Sequence, residues 1–216
     1  MGSKIGVIGS GVVGQVLANG FIKHGYDVMI GTNDQNKHAQ LKEKTGGKAK
    51  VGSFAETSKF GETIVLAVKG SAAEDVVKKT GAANFKEKTV IDTTNPIAET
   101  MPVNGVLQYF TGPNESLLER LQKLIPEAHI VKSFSCVNSA FMVDPDFGGA
   151  KPTVFICGND EGAKSEVKKI LKQFGCEYED MGRAEAARAI EPLAMLYCIR
   201  GFLRNQWNHA FKLLKK

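Results

Sequence analysis

The chain has 216 residues, which is long enough to bury a full hydrophobic core as one domain with a small appendage. Lys and Arg number 28 against 23 Asp and Glu, a formal net charge of +5. Because these positive residues are scattered, we expect no nucleic-acid partner and no membrane surface, although a mild positive potential suits anionic small molecules. No apolar run approaches membrane-spanning length and no signal peptide is evident, so we expect a cytoplasmic protein.

The cysteines and histidines form no metal-binding pattern. The cysteines lie about twenty residues apart, without a C-x-x-C pair, at positions Cys136, Cys157, Cys176 and Cys198. No histidine pair has the spacing of a zinc site. We therefore expect reduced thiols and no metal site.

The N-terminal stretch organises the rest of the chain. An apolar, β-branched run over residues 5–8 is typical of a buried strand, and helical spacing of apolar residues follows over residues 12–22. Between these two elements, Gly9, Gly11 and Gly14 have the spacing G-x-G-x-x-G.

This spacing serves a physical purpose in dinucleotide-binding folds. Gly9 permits the tight turn, Gly11 lets the backbone approach a pyrophosphate, and Gly14 lets the helix pack closely on the strand. Unpaired amides at the start of the helix favour a phosphate anion. We therefore predict a cofactor-binding turn formed by Gly9, Ser10, Gly11, Val12 and Val13. A glycine turn without a ligand is the alternative, but the preceding strand and the following helix favour the cofactor.

The second predicted strand covers residues 26–31. In dinucleotide-binding folds, the residues at the end of this strand contact the adenosine ribose. NAD-binding proteins usually carry Asp or Glu there, whereas this chain has Thr32 and Asn33, with Lys37 nearby. Neutral donors beside an ammonium suit a 2′-phosphate, which favours NADP over NAD and gives Thr32, Asn33 and Lys37 cofactor-binding roles. The alternative, compatible with the first, is that Thr32 and Asn33 cap a helix over residues 34–45.

Two apolar strands, over residues 63–68 and 89–92, are expected at the centre of a parallel sheet. Ligands of open α/β sheets lie beyond the carboxyl ends of the strands, so the residues that end or follow these strands should border the cofactor. The predicted contacts are Ala67, Val68 and Lys69 at the first strand, and Asn95 and Pro96, together with Thr94, after the second. A solvated lysine at Lys69 and ordinary turn residues at 94–96 are the alternatives.

The following part of the chain continues the alternation of strands and helices. Residues 97–114 lack periodicity but carry apolar side chains, which makes them a candidate wall of the substrate site. The further elements are predicted as a helix at 115–125, strands at 129–134 and 153–157, a helix ending near 174 and a short strand at 176–179. Ser133 lies at the catalytic edge and is a further predicted cofactor contact. The alternation predicts an α/β fold with a doubly wound, mostly parallel sheet.

The last segment, over residues 184–214, has a helical pattern, with Pro192 expected in the first turn of its main helix. Its apolar stripe, which should cover the sheet or a second subunit, consists of Ile190, Leu193, Tyr197, Leu203, Trp207, Phe211 and Leu214. We therefore divide the chain into a dinucleotide-binding domain at residues 1–182 and a small C-terminal helical extension at residues 183–216.

The sequence shows no convincing general acid or base beside the predicted nicotinamide position, and we predict no catalytic side chain. Oxidation of an alcohol or hydroxyacid needs such a group, because a proton must leave with the hydride. Hydride transfer between a nicotinamide and a flavin-like ring does not, since the cofactors carry the chemistry and the protein stacks them.

An ordered set of motifs points to a family. It comprises the glycine turn at 9–14, Gly31-Thr32-Asn33 with Lys37, and the runs at 92–96, 131–134, 154–159 and 189–193. This set resembles the NADP oxidoreductases that depend on the deazaflavin coenzyme F420, and also the cytosolic reductase domain of the six-transmembrane metalloreductases. The resemblance covers nearly the whole chain.

The resemblance implies an NAD(P)-binding Rossmann fold, with NADPH across the strand ends and hydride exchange with coenzyme F420 or a flavin. Onward electron transfer to ferric iron is a further implication. In this family a Ser and an Arg after the second strand hold the 2′-phosphate, followed by a Lys. Thr32 matches the Ser and Lys37 the Lys, but Asn33 stands in place of the Arg, which removes a bidentate phosphate clamp. Ser135 stands where the metalloreductases carry Asn.

Two other functions stay open. An imine or hydroxyacid reductase of the related kind would need a longer helical domain than the roughly thirty residues that follow Gly182. A non-catalytic NADP(H) sensor would bind the cofactor and change a partner interface. The expected partners are small molecules, namely cofactor and acceptor, together with a second copy of the chain in a homodimer through the C-terminal helix. The membrane haem route of the metalloreductases is not expected.

Overall fold

The computed structural model describes residues 3–216, so the first two residues of the predicted dinucleotide-binding domain lie outside it. Across the described residues, eight strands form one sheet in the order β3-β2-β1-β4-β5-β6-β7-β8. The strands are β1 (Lys4–Ile8), β2 (Asp27–Gly31), β3 (Lys50–Gly52), β4 (Thr63–Leu66), β5 (Thr89–Asp92), β6 (His129–Lys132), β7 (Thr153–Gly158) and β8 (Glu177–Asp180).

The strand pairs are parallel except for β6 with β7. Chain order reverses beside β1, which has β2 on one side and β4 on the other. The predicted doubly wound, mostly parallel sheet is therefore confirmed. The carboxyl ends of β1, β2, β4, β5 and β6 consequently meet at one edge, where such sheets bind ligands.

The helices flank this sheet. They are α1 (Val12–Lys23), α2 (His38–Lys44), α3 (Phe54–Phe60), α4 (Gly70–Thr80), α5 (Leu117–Leu124), α6 (Glu161–Gln173), α7 (Ala187–Ile190) and α8 (Leu193–Arg204). None of the helices within residues 3–216 is long and apolar enough to cross a membrane.

Two separate apolar cores cover the sheet. One contains Leu17 and Phe21 of α1 together with Phe174 after α6, and the other contains Val77 of α4 and Leu121 of α5. Each such side chain contributes about 1.5–3 kcal/mol when it is fully buried. All four residues of β4 are buried, as its apolar sequence predicts for the centre of a parallel sheet.

Local capping sets several helix ends. The helix predicted from residue 115 begins at Leu117, because the Ser116 hydroxyl accepts from the Glu119 amide at 3.2 Å and the Glu119 carboxylate accepts from the Ser116 amide at 2.9 Å. The strand predicted to reach Phe134 ends at Lys132. Phe134 has a φ of +60°, in the left-handed region, and this conformation turns the chain out of the strand.

The C-terminal segment is helical over a shorter range than predicted. Pro192 separates α7 from α8, as predicted, but α8 ends at Arg204 because Asn205 adopts a left-handed conformation with a φ of +50°. The chain then folds back on α8, and the Tyr197 hydroxyl donates to the Trp207 carbonyl at 2.7 Å. The predicted helix beyond residue 204 is therefore wrong.

The predicted apolar stripe of this segment is only partly buried. Tyr197 is buried, whereas Leu203 is 59% exposed and Leu214 is 84% exposed. The division of the chain at residue 182 and the homodimer through the C-terminal helix both stay predictions. Leu196 and Leu203 of α8 are both exposed.

Candidate cofactor site

The glycine turn between β1 and α1 is built so closely that two of its positions exclude a side chain. Gly9 has a φ of +127°, and a Cβ there would lie 2.1 Å from the Ala67 carbonyl oxygen. A Cβ at Gly14 would lie 2.1 Å from the Gly9 carbonyl oxygen. Both contacts are shorter than any real Cβ contact, so glycine at these positions lets α1 and β4 approach the turn.

Gly11 faces open space instead. A Cβ at Gly11 would meet nothing within 4 Å, and its φ of −75° and ψ of −176° suit any residue. The Gly11 position therefore needs no glycine for the fold itself.

The first turn of α1 contains no acidic side chain, and Val12 is 68% exposed. Free amides at the positive end of a helix fit the phosphates of a dinucleotide.

The end of β2 carries the residues predicted to contact the adenosine ribose. Thr32 is buried, and its hydroxyl oxygen accepts from the Asp34 amide at 3.2 Å and from the Ser10 hydroxyl at 3.3 Å. Asn33 and Lys37 are exposed. These contacts place Ser10 of the glycine turn beside Thr32, while Asn33 and Lys37 remain accessible to a ligand.

The helix predicted to start at Asp34 begins differently. A short 3-10 turn over Gln35–Lys37 precedes α2, and the Asp34 carboxylate caps it by accepting from the Asn36 amide at 3.1 Å. Thr32 and Asn33 are therefore not the cap, and the predicted helix start is wrong. Asp34 and Lys37 lie 3.9 Å apart as an ion pair, so the Lys37 ammonium has a carboxylate neighbour in the free protein.

A cavity of about 500 Å³ opens between the loops that follow β4 and β5. Its lining residues are Val68, Lys69, Gly70, Ser71, Thr93, Thr94, Asn95, Ile97, Ala98 and Glu99. It therefore contains four of the predicted contacts, Val68, Lys69, Thr94 and Asn95, and the start of the segment at residues 97–114 that was predicted as a substrate wall. Ala67 and Pro96 are buried beside it.

The loop after β5 is held closely against its neighbours. The Asn95 side-chain amide donates to the Ser135 carbonyl at 2.9 Å, and a Cβ at Gly70 would lie 1.8 Å from the Asn95 carbonyl oxygen. Ser133 is fully buried. Among the described residues, Asn95 Oδ1, Ser133 Oγ and Ser135 Oγ have no hydrogen-bond partner. Such atoms are usually satisfied by a ligand or a water molecule, which fits a polar group entering at this edge.

A buried ionic cluster lies directly behind this loop, and the sequence reasoning assigned it no role. Lys132 Nζ lies 2.6 Å from Asp92 Oδ2 and 2.8 Å from Glu191 Oε1, and it donates to the Thr94 carbonyl at 2.8 Å. None of the three charged side chains is more than 2% exposed. Burial alone would lower the pKa of Lys132, but attraction by Asp92 and Glu191 outweighs burial and raises it.

Part of this cluster could have been predicted from the sequence. Asp92 and Lys132 end two adjacent parallel strands and are register partners, so their pairing follows once β5 and β6 are aligned. The signal is a charged residue at the end of each of two apolar strands. Glu191 comes from a distant segment beside α8, and no local pattern links it to either residue.

The other titratable groups near the cluster are poorly suited to proton transfer. The Tyr109 hydroxyl donates to the Glu191 carbonyl at 2.8 Å, and burial together with the Glu191 charge raises the pKa of Tyr109. Burial raises the pKa of the Cys136 and Cys157 thiols to about 12. These groups therefore stay protonated at neutral pH, and the cysteines are poor nucleophiles there.

Comparisons with known proteins agree with this geometry. A family model described as NADP oxidoreductase, coenzyme F420-dependent, matches residues 4–96, which contain the glycine turn and the loops after β2, β4 and β5. A crystal structure of a protein assigned as an F420-dependent NADP reductase from Arthrobacter sp. FB24 is 30% identical, covers 99% of this chain and 100% of its own, and superposes with a TM-score of 0.91. The chain belongs to the F420-dependent NADP oxidoreductase family.

Two further relatives extend the comparison of this family member. The metalloreductase STEAP3 of Rattus norvegicus is 28% identical over 196 residues, which are 89% of this chain and 37% of the relative. The chain thus spans well under half the length of that curated relative. An imine reductase from Aspergillus terreus is 16% identical, with a TM-score of 0.67 over 95% of this chain and 64% of its own, and shares the fold alone.

Proposed function

We propose that the protein binds NADP(H) across the glycine turn and exchanges a hydride with a deazaflavin such as coenzyme F420, or with a flavin. The observation that carries this proposal is the cavity of about 500 Å³ at the ends of β4 and β5. It lies on the same sheet edge as the glycine turn, where the nicotinamide end of an extended dinucleotide would arrive. Val68, Ile97 and Ala98 give its wall apolar surface against which flat rings can stack.

The chemistry around the cavity fits ring-to-ring hydride transfer. When bound, NADPH supplies the hydride, and the protein has to hold two rings in contact and exclude water. Tyr109 is engaged with a main-chain carbonyl, so it is not available as the acid that alcohol chemistry needs. The similarity to the Arthrobacter protein supports coenzyme F420 as acceptor, and the similarity to the metalloreductase STEAP3 supports a metal ion as the final acceptor.

The acceptor can be identified by following NADPH oxidation with separate acceptors. The panel contains F420, FMN, FAD and a ferric chelate, each with and without catalytic FMN. We expect turnover with F420 or a free flavin, and iron reduction only when flavin is present. Tight NADPH binding without turnover on any acceptor would instead favour a non-catalytic sensor, and turnover with a cyclic imine would favour an imine reductase.

Lys37 is proposed to contact the 2′-phosphate of NADP. Replacing Lys37 with alanine removes a charge-assisted contact, which should weaken NADPH binding by about tenfold and leave NADH binding nearly unchanged. Calorimetric titration with both coenzymes measures this difference. Lys42→Ala, at an exposed position of α2, changes the net charge equally and serves as the control. Equal losses for NADPH and NADH in Lys37→Ala would place the 2′-phosphate elsewhere.

A further inference from the structure

We propose that Lys132 is a positioning residue for the nicotinamide end of the bound cofactor. Its role is to fix the loop at residues 93–96 by linking that loop to the C-terminal segment through Glu191. This inference rests on the proposed binding of NADP(H) at the glycine turn, because the loop borders the cavity assigned to the nicotinamide.

The surroundings of Lys132 explain why it positions other groups and does not itself react. Its ammonium has three N–H donors, and three oxygens surround it, namely Asp92 Oδ2 at 2.6 Å, Glu191 Oε1 at 2.8 Å and the Thr94 carbonyl at 2.8 Å. The side chain has no exposed surface. The ammonium is therefore enclosed by protein oxygens, and without exposed surface it cannot contact a ligand.

The cluster holds Thr94 from both sides. Lys132 binds the Thr94 carbonyl, while Asp92 Oδ1 accepts from the Thr94 amide at 2.9 Å and from the Thr94 hydroxyl at 2.7 Å. The next residue, Asn95, lines the cavity. Hydride transfer requires the relative position of the two reacting rings to be correct to within a fraction of an ångström. Fixing this loop therefore fixes one wall of the reaction site.

Glu191 connects the cluster to the rest of the molecule. Its two carboxylate oxygens accept from the Leu117 and Leu118 amides at 2.9 and 3.0 Å, at the N-terminus of α5. The positive end of that helix balances the second carboxylate of the cluster, which contains two acids and a single ammonium. The loop at residues 93–96 is thus held by a network that reaches β6, α5 and the segment before α8.

The test compares two nucleotides on the full-length protein. NADPH carries the nicotinamide, whereas adenosine 2′,5′-bisphosphate contains only the adenosine end of the same cofactor. We expect Lys132→Met and Glu191→Gln to weaken NADPH binding by about tenfold and to leave binding of adenosine 2′,5′-bisphosphate unchanged, both measured by calorimetry. Glu191→Gln keeps the shape of the side chain, so it decides the question if Lys132→Met does not fold.

Lys164→Met provides the matched control. Lys164 is also a buried lysine, paired with Asp180 at 3.2 Å, but it lies outside the candidate site. We expect it to leave the ratio of the two affinities unchanged. Equal losses of both nucleotides in Glu191→Gln, no loss of either, or the same selective loss in Lys164→Met would overturn the positioning role. If the wild-type protein bound neither nucleotide, the proposed function itself would fail, which is a separate result.

Discussion

Replacing Gly11 with valine is expected to abolish NADPH binding while leaving the free protein folded. The Gly11 backbone is extended and a Cβ there meets nothing within 4 Å, so valine fits without strain. The same open space is where the pyrophosphate must approach the amides at the start of α1. Losing two charge-assisted hydrogen bonds at about 1.5–3 kcal/mol each weakens binding by at least about a hundredfold.

Calorimetric titration with NADPH measures this loss, and circular dichroism with thermal unfolding checks the fold. Gly112→Val is the matched control, because a Cβ at Gly112 also meets nothing within 4 Å and that residue lies away from the glycine turn. It should bind NADPH like the wild type. Undiminished NADPH affinity in Gly11→Val would mean that the pyrophosphate does not pass over the turn.

Replacing Lys132 with methionine should also reduce stability strongly. It removes the sole ammonium in contact with Asp92 and Glu191 within the described residues and leaves two buried carboxylates without it. Breaking a buried ion pair by removing one partner typically costs about 3–5 kcal/mol. Urea unfolding followed by circular dichroism gives the free energy of unfolding, and the midpoint should fall clearly. A midpoint within error of the wild type would show that the cluster does not stabilise the fold.

The difference in the free energy of unfolding between the wild type and Lys132→Met should depend on pH in a definite direction. The folded-state pKa of Lys132 lies above its ordinary value of 10.5, because the pull of Asp92 and Glu191 exceeds the opposing effect of burial. The stability that the charged lysine provides is therefore fully present below 10.5 and is lost as the pH rises through the higher folded-state pKa. The wild type should keep its advantage over Lys132→Met through neutral pH and lose it only in strongly alkaline solution.

The sheet and the glycine turn could be predicted because local patterns encode them. β4 carries three consecutive aliphatic residues and is buried along its whole length, as expected at the centre of a parallel sheet, and the spacing of Gly9, Gly11 and Gly14 has a geometric reason at each position. The loops after β4 and β5 could be predicted to border the cofactor because ligands of open α/β sheets lie beyond the carboxyl ends of the strands. The contact of each predicted residue with a bound cofactor stays a prediction.

The C-terminal segment shows where local patterns fail. Its apolar residues keep helical spacing to residue 214, but Asn205 in the left-handed conformation ends α8 and sends Trp207 back against Gly201. A Cβ at Gly201 would lie 2.2 Å from the Trp207 ring, so this return depends on a tertiary contact. Asn favours such a conformation over most residues, yet periodicity alone gave no reason to stop there.

The bond between Glu191 and the start of α5 joins residues 74 positions apart, and it bears on how independent the two parts of the chain are. A fragment severed after residue 182 would lose one of the two anions that neutralise Lys132, and with it the carboxylate that accepts from the Leu117 and Leu118 amides at the start of α5. The C-terminal extension therefore completes the interior of the dinucleotide-binding domain, and the whole chain should melt in one cooperative step.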